Sequence, residues 1–172
     1  WNKEFLMKHI GNAHYQSGLP MPGQLAESFI SSRNAFSSID TMHQIVYAKF
    51  DQVMFGLPTS TPAEEIFRHL TLDHGLPYAE GTHWHTKFGH LVTYGGGYYS
   101  YLYSKAFADD VWHQGGFHKQ ALTNSDAGTR LWKTVLAHGG AKDPQDMLTE
   151  FLGRPPQVVG SAMTGNTTAG TD

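Results

Sequence analysis

The chain has 172 residues, 40% of them hydrophobic, and twelve Lys and Arg against fifteen Asp and Glu give a net charge of −3 with histidine neutral. That length supports one ordinary domain with a core and is too short for two full-sized ones, and the charge supplies no positive field to track a nucleic-acid backbone. Cysteine is absent, which excludes a disulfide framework, a thiolate metal site, an iron–sulfur cluster and a cysteine nucleophile, and no apolar run approaches the roughly 20 residues that cross a bilayer.

The first residues carry both charge signs without a long apolar stretch and a small-residue cleavage site, so they do not read as a signal peptide. A start at Trp1 rather than Met points to a processed product, a fragment or a part of something longer. Within residues 2–14, Phe5, Leu6, His9, Ile10 and Ala13 share one helical face. Gly18-Leu19-Pro20-Met21-Pro22 then forces a turn, and Pro22 suits the first position of a second helix striped by Leu25, Phe29, Arg33 and Phe36. Ser37, Ser38 and Asp40 offer caps for a third. Its stripe is Met42, Ile45, Val46, Lys49, Phe50, Val53 and Met54, and Gly56-Leu57-Pro58 ends it. Thr61-Pro62-Ala63-Glu64 has the form of a helix start, with a Thr cap, Pro at the first position and Glu three residues after the cap. Ile66, Phe67 and Leu70 are the inward face of that short helix.

Residues 75–97 carry no helical stripe and are expected to be irregular, with short extended pieces. A helix resumes near Tyr98 and runs to about Phe117, with Tyr99 and Leu102 in the core. Asn124 and Ser125 can cap the next helix, which buries Leu131, Val135 and Leu136 and stops at Gly139-Gly140. Asp143-Pro144 starts a last helix with Met147, Leu148 and Phe151 inward and Gly153 at its end. From about Gly160 the tail is small and polar and is expected to be disordered. The fold class is mainly α, a multi-helix unit with short connections.

Chemistry concentrates in His83 to Tyr103, HWHTKFGHLVTYGGGYYSYLY. Tyrosines at 94, 98, 99 and 101 surround Gly95, Gly96 and Gly97, and His90 stands four residues ahead of the first of them. Phenols and imidazoles donate hydrogen bonds to an oxyanion, and a glycine-rich loop can close over a bound chain. The competing reading is a simple packing corner. The eleven histidines raise a metal reading, and His83-x-His85 would put two rings on one side of an extended strand. No His-Glu-x-x-His occurs, and His9/His14, His69/His74 and His113/His118 are each five apart, on different faces of a continuous helix. The chain is therefore expected to hold no metal by itself. Gly-x-Ser-x-Gly and phosphate-loop patterns are missing, and Asp109-Asp110 reads as a solvated helix face.

FGHLVTYGGGYYSYLYSKAFADDVW followed by LWKTVLAHGGAKDPQDMLTEFLGRPP resembles the C-terminal part of the thimet oligopeptidase family of zinc metallopeptidases, and HYQSGLPMP and AKFDQVMF extend the likeness over residues 1–156. The spacing from His90-Leu91-Val92 to Tyr94-Gly95 and to Tyr98-Tyr99-Ser100-Tyr101-Leu102 points to its mitochondrial-intermediate-peptidase branch. The resemblance implies a helical fold with a deep substrate channel, of which this chain forms one wall, with a flexible Gly/Tyr-rich loop. It makes residues 1–159 the C-terminal helical part of a catalytic domain and 160–172 a polar tail. Zinc is implied only for the complete enzyme, on a His-Glu-x-x-His helix and a following Glu upstream of this chain or on a partner chain.

Residue by residue, the resemblance matches His90 to a histidine facing the substrate near the scissile bond and Tyr101 to a tyrosine that stabilises the tetrahedral intermediate. Tyr98 matches a substrate-contacting tyrosine and Tyr94 a third, catalytic one. The stretch between histidine and Tyr94 is one residue shorter than in cytosolic members. Gly95, Gly96 and Gly97 fall in the family's flexible, substrate-binding segment. The implied activity is peptide-bond hydrolysis in precursor processing in the mitochondrial matrix, with a peptide substrate, no nucleic acid and no membrane span. The alternative is a zinc-free accessory subunit of a larger mitochondrial assembly.

Overall fold

The computed structural model describes residues 2–120 and 125–157, and these are mainly helical with no strand among them. In chain order come α1 (Lys3–Phe5), a π turn (Leu6–Ile10), α2 (Gly23–Arg33), α3 (Ser37–Met54) and α4 (Ala63–Asp73). A 3-10 turn (Trp84–Lys87), α5 (His90–Thr93), α6 (Ser100–Gln114) and α7 (Phe117–Gln120) follow. The described part closes with α8 (Ser125–Thr134), a second 3-10 turn (Leu136–His138) and α9 (Pro144–Leu152). The chain divides into two compact units, residues 1–41 and 42–172, and the division falls inside α3. The expected Asn124 cap and the polar tail lie outside the described residues.

In the first unit the helix expected over 2–14 is shorter. The Asn2 side chain caps α1 by accepting from the Phe5 amide at 2.9 Å, and the helix then widens so that Gly11 N–H reaches the Leu6 carbonyl at 2.6 Å. The chain doubles back there, and Met21 N–H donates to the Gly11 carbonyl at 2.7 Å. Gly11 permits that approach, since a Cβ on it would stand 2.6 Å from the Met21 Cβ. Leu6 is buried and Ile10 is exposed, so only part of the stripe is used. Pro22 sits at the N-cap of α2, one residue before the expected position, and Ala26 rather than Leu25 or Phe29 is the fully buried residue. Phe36 adopts a left-handed φ of 62° between α2 and α3, a conformation that costs an L-residue about 1–2 kcal/mol.

The second unit has two apolar clusters. Val46, Ala48 and Phe50 of α3 meet Ile66 and Phe67 of α4, with Leu76, Phe88 and Tyr98 from the segments beyond. Trp84 stacks on both Phe67 and Tyr47, at centroid distances of 4.5 and 4.4 Å. This stack gives the irregular segment a large apolar anchor, which explains how it keeps one conformation without a helical stripe of its own. Lys49, Val53 and Met54, placed on the inner stripe by periodicity, are exposed. Pro62, not Thr61, occupies the N-cap of α4, and Glu64 pairs with His83 Nδ1 at 2.8 Å instead of closing a capping box.

The second cluster joins Phe117, Ala127 and Phe151, with Val111, Leu131, Val135 and Leu152 against it, while Leu136 is exposed. α9 follows its sequence signals closely. Asp143 caps it through the Gln145 amide at 2.8 Å, Pro144 opens it, and Gly153 closes it at φ 72°. α6 breaks at Gly115-Gly116, which swings the His113 and His118 rings to 5.0 Å from each other. A continuous helix would have kept them apart. Asp110 is not a solvated carboxylate. It accepts from Arg154 Nη2 at 2.5 Å, from Nη1 at 3.0 Å and from the Gln157 amide at 3.3 Å. The Arg154 guanidinium holds its carboxyl below the usual carboxylate range.

Candidate functional site

The glycine-rich segment is docked on one face of α3. Gln44, Tyr47, Asp51 and, just past the helix end, Phe55 recur at three- and four-residue spacing and so lie along one side. Asp51 is fully buried. Its Oδ1 accepts the Gly96 amide at 3.0 Å and its Oδ2 the Tyr98 amide at 2.9 Å. Gln52 Nε2 donates to the Gly96 carbonyl at 2.7 Å, and Gly97 N–H turns back to the Tyr94 carbonyl at 2.7 Å. The loop backbone therefore forms a concave nest of amides around a carboxylate, the arrangement that otherwise holds external anions. Gly96 takes the left-handed φ of 77° that this turn requires, and a Cβ on Gly95 would stand 2.7 Å from the Phe55 ring. These two glycines thus serve a tight turn and a close approach.

The clamp joins two short helical pieces that carry the candidate donors. His90 begins α5 and Tyr94 follows its end, while Tyr101 lies in the first turn of α6. His90 Nε2 and the Tyr101 hydroxyl are 3.2 Å apart. The Tyr94 ring stacks on Tyr101 at 5.5 Å and 18°. Both phenols are open, Tyr94 at 44% and Tyr101 at 45% exposure. Tyr98 differs: it is 7% exposed, sits edge-on to His90 at 5.0 Å, and donates its hydroxyl to Gln44 Oε1 at 2.8 Å. Burial pushes the Tyr98 phenol up, which keeps it a neutral donor. Tyr99, expected in the core, points outward, because the Asp51 bond to the Tyr98 amide turns residue 98 inward instead.

Sequence patterning does not single out Asp51, Gln52 or Gln44. The available signal is a carboxylate between Tyr47 and Phe55 on one side of α3, a place where an ionised group needs donors. The loop's amides are those donors.

The remaining histidines near the site are engaged locally. His83 holds Glu64, and Lys49 donates to His74 Nε2 at 3.0 Å, which leaves His74 Nδ1–H to donate to the Leu70 carbonyl at 2.7 Å. Among the described residues no three His, Asp or Glu side chains converge on a point that could hold a metal ion. The described residues do not fit a zinc site, and the groups gathered at the loop are phenols, an imidazole and backbone amides, which donate hydrogen bonds.

Comparison with known proteins gives concordant matches. The profile of peptidase family M3 matches residues 1–163. The chain is 37% identical over 144 residues to the mitochondrial intermediate peptidase of Arabidopsis thaliana, covering 82% of this chain and 20% of that protein. It is 36% identical over 147 residues to that of Homo sapiens, covering 84% and 20%. It is also 36% identical over 154 residues to that of Malassezia globosa, covering 87% and 19%. The chain thus spans about a fifth of the length of the curated relatives it matches.

Proposed function

Because this chain belongs to peptidase family M3, we propose that it is the C-terminal segment of a mitochondrial-intermediate-peptidase-like zinc metalloendopeptidase, supplying substrate-binding and oxyanion-stabilising groups. In this reading residues 1–159 form the C-terminal helical part of the catalytic domain and one wall of the substrate channel. The observation that carries it is the hydrogen-bonded His90–Tyr101 pair, with Tyr94 stacked on it, on an accessible surface. A packing corner has no need to leave two phenols exposed beside a half-buried imidazole.

During hydrolysis of a peptide bond, negative charge grows on the carbonyl oxygen. Tyr101 donates its hydroxyl proton to that oxygen as a hydrogen bond. His90, with Nε2 protonated, donates in turn to the Tyr101 oxygen, and the two bonds polarise each other. Tyr94 supplies a second phenol beside the first. Gly95, Gly96 and Gly97 serve substrate binding as the turn that presents the flanking rings, and Tyr98 is the ring packed against His90 and Tyr101. The zinc expected of the family belongs to the complete enzyme, on an upstream region of the same protein or on a partner chain. The proposed substrates are peptides processed from imported precursors, and the proposed location is the mitochondrial matrix.

The test is peptide cleavage by the complete protein that carries this segment, on a fluorogenic precursor-derived peptide. Cleavage is expected, with loss on chelation and recovery on adding zinc. A folded protein that takes up no zinc and cleaves no peptide would favour the zinc-free accessory-subunit alternative instead.

A further inference from the structure

We infer that Asp51 is the positioning residue of this site: its buried carboxylate, by accepting the Gly96 and Tyr98 amides at 3.0 and 2.9 Å, fixes α5 against α6 and thereby holds His90 and Tyr94 beside Tyr101. The inference rests on the proposed role of Tyr101. The geometry supports it in three ways. The residues 95–97 are the whole connection between Tyr94 and Tyr98, so whatever fixes that turn fixes the relation of the two ring groups. The carboxylate uses both oxygens, one on each side of Gly97, which sets the turn's position and its orientation at once. Gln52 holds the Gly96 carbonyl from the same helix, so the peptide group before Gly97 is gripped from α3 as well. The loop is therefore held in its donor-presenting form by the protein before any substrate arrives, which is preorganisation.

Asp51 touches no substrate in this scheme and acts by keeping His90 and Tyr94 in register with the Tyr101 hydroxyl. Asparagine, the isostere of aspartate, would be a poor replacement at this position, because a carboxamide presents N–H to one of the two amide donors.

The experiment uses the complete protein with four variants: Asp51→Asn, Gln52→Ala, Tyr101→Phe and Asp51→Asn with Tyr101→Phe. Asp51→Asn is expected to lower kcat about 10–100-fold, as a misplacement of about 1 Å can, with KM changed less than about threefold. Hydrogen exchange at the Gly96 and Tyr98 amides should speed up at least about tenfold, while the amides of α9 keep their protection. In the Tyr101→Phe background the same change should cost less than about threefold, since the hydroxyl with which it registers His90 and Tyr94 is gone. Gln52→Ala removes an exposed side chain and keeps the inference testable if Asp51→Asn fails to fold; it should give the same pattern at several-fold rather than tenfold size. Equal losses of kcat in both backgrounds, or unchanged exchange at Gly96 and Tyr98, would overturn the inference. The proposed function fails on a separate result, a Tyr101→Phe enzyme with full kcat. In that event faster exchange at the two amides would show a purely structural clamp and would count against positioning.

Discussion

Tyr101→Phe is expected to lower kcat about 10²–10³-fold, the usual loss when one oxyanion donor is removed, with the fold intact. The substitution deletes one oxygen. The ring and its contacts stay: Tyr94 stacked at 5.5 Å, Tyr98 at 5.0 Å and His90 edge-on at 5.7 Å. The deleted hydroxyl belongs to a residue 45% exposed and leaves no buried group unpaired, so the stability change should stay within about 0.5 kcal/mol. Tyr103→Phe is the matched control. Two residues further along α6, Tyr103 lies about 200° round the helix, and its ring meets Phe107 at 4.6 Å. That variant should keep wild-type kcat. Steady-state kinetics of the two variants in the complete, zinc-loaded protein check the expectation, and equal kcat values for both would remove Tyr101 from the chemistry.

The largest expected effect on stability is that of Phe50→Ala. Phe50 is wholly buried, edge-on to Phe67 at 5.3 Å, at the centre of the α3–α4 cluster. Truncation removes a large apolar surface and leaves a cavity bounded by aromatic rings that cannot all move in. The cost should be about 3–5 kcal/mol. Since Phe50 directly precedes Asp51, the loss should also reach the loop clamp. Hydrogen exchange of the α3 amides in the complete protein reads this directly, and their protection should fall by the equivalent of the lost stability. A cost below about 1 kcal/mol would show that the cluster repacks and that α3 does not depend on it.

How much of the molecule is legible in the sequence follows from how local each signal is. α9 is readable because its cap, its opening proline and its closing glycine all act within one turn of the helix end. The start of α4 misleads for the opposite reason: Glu64, a good capping residue locally, is taken by His83 from nineteen positions away. The helical class, the cluster residues Val46, Phe50, Ile66 and Phe67, and the placing of His90, Tyr94 and Tyr101 in one segment are all open to periodicity and composition. Which tyrosine turns inward is not. Tyr98 and Tyr99 are neighbours of equal hydrophobicity, and the choice between them is made by Asp51, a residue 47 positions earlier. Similarly, the five-residue spacing of His113 and His118 argues for separation, and the Gly115-Gly116 break between them reverses it. The family resemblance draws attention to the loop, but periodicity offers no view of the clamp that holds it.

The most direct measurement is photo-cross-linking with a peptide substrate that carries a photoreactive group beside its scissile bond. It is bound to the complete protein under chelation, and the adducts are mapped by mass spectrometry. Adducts are expected within residues 90–101, on His90, Tyr94, the glycines or Tyr101, with competition by unlabelled peptide. Competable adducts lying wholly outside that segment would contradict a substrate-facing role for the loop.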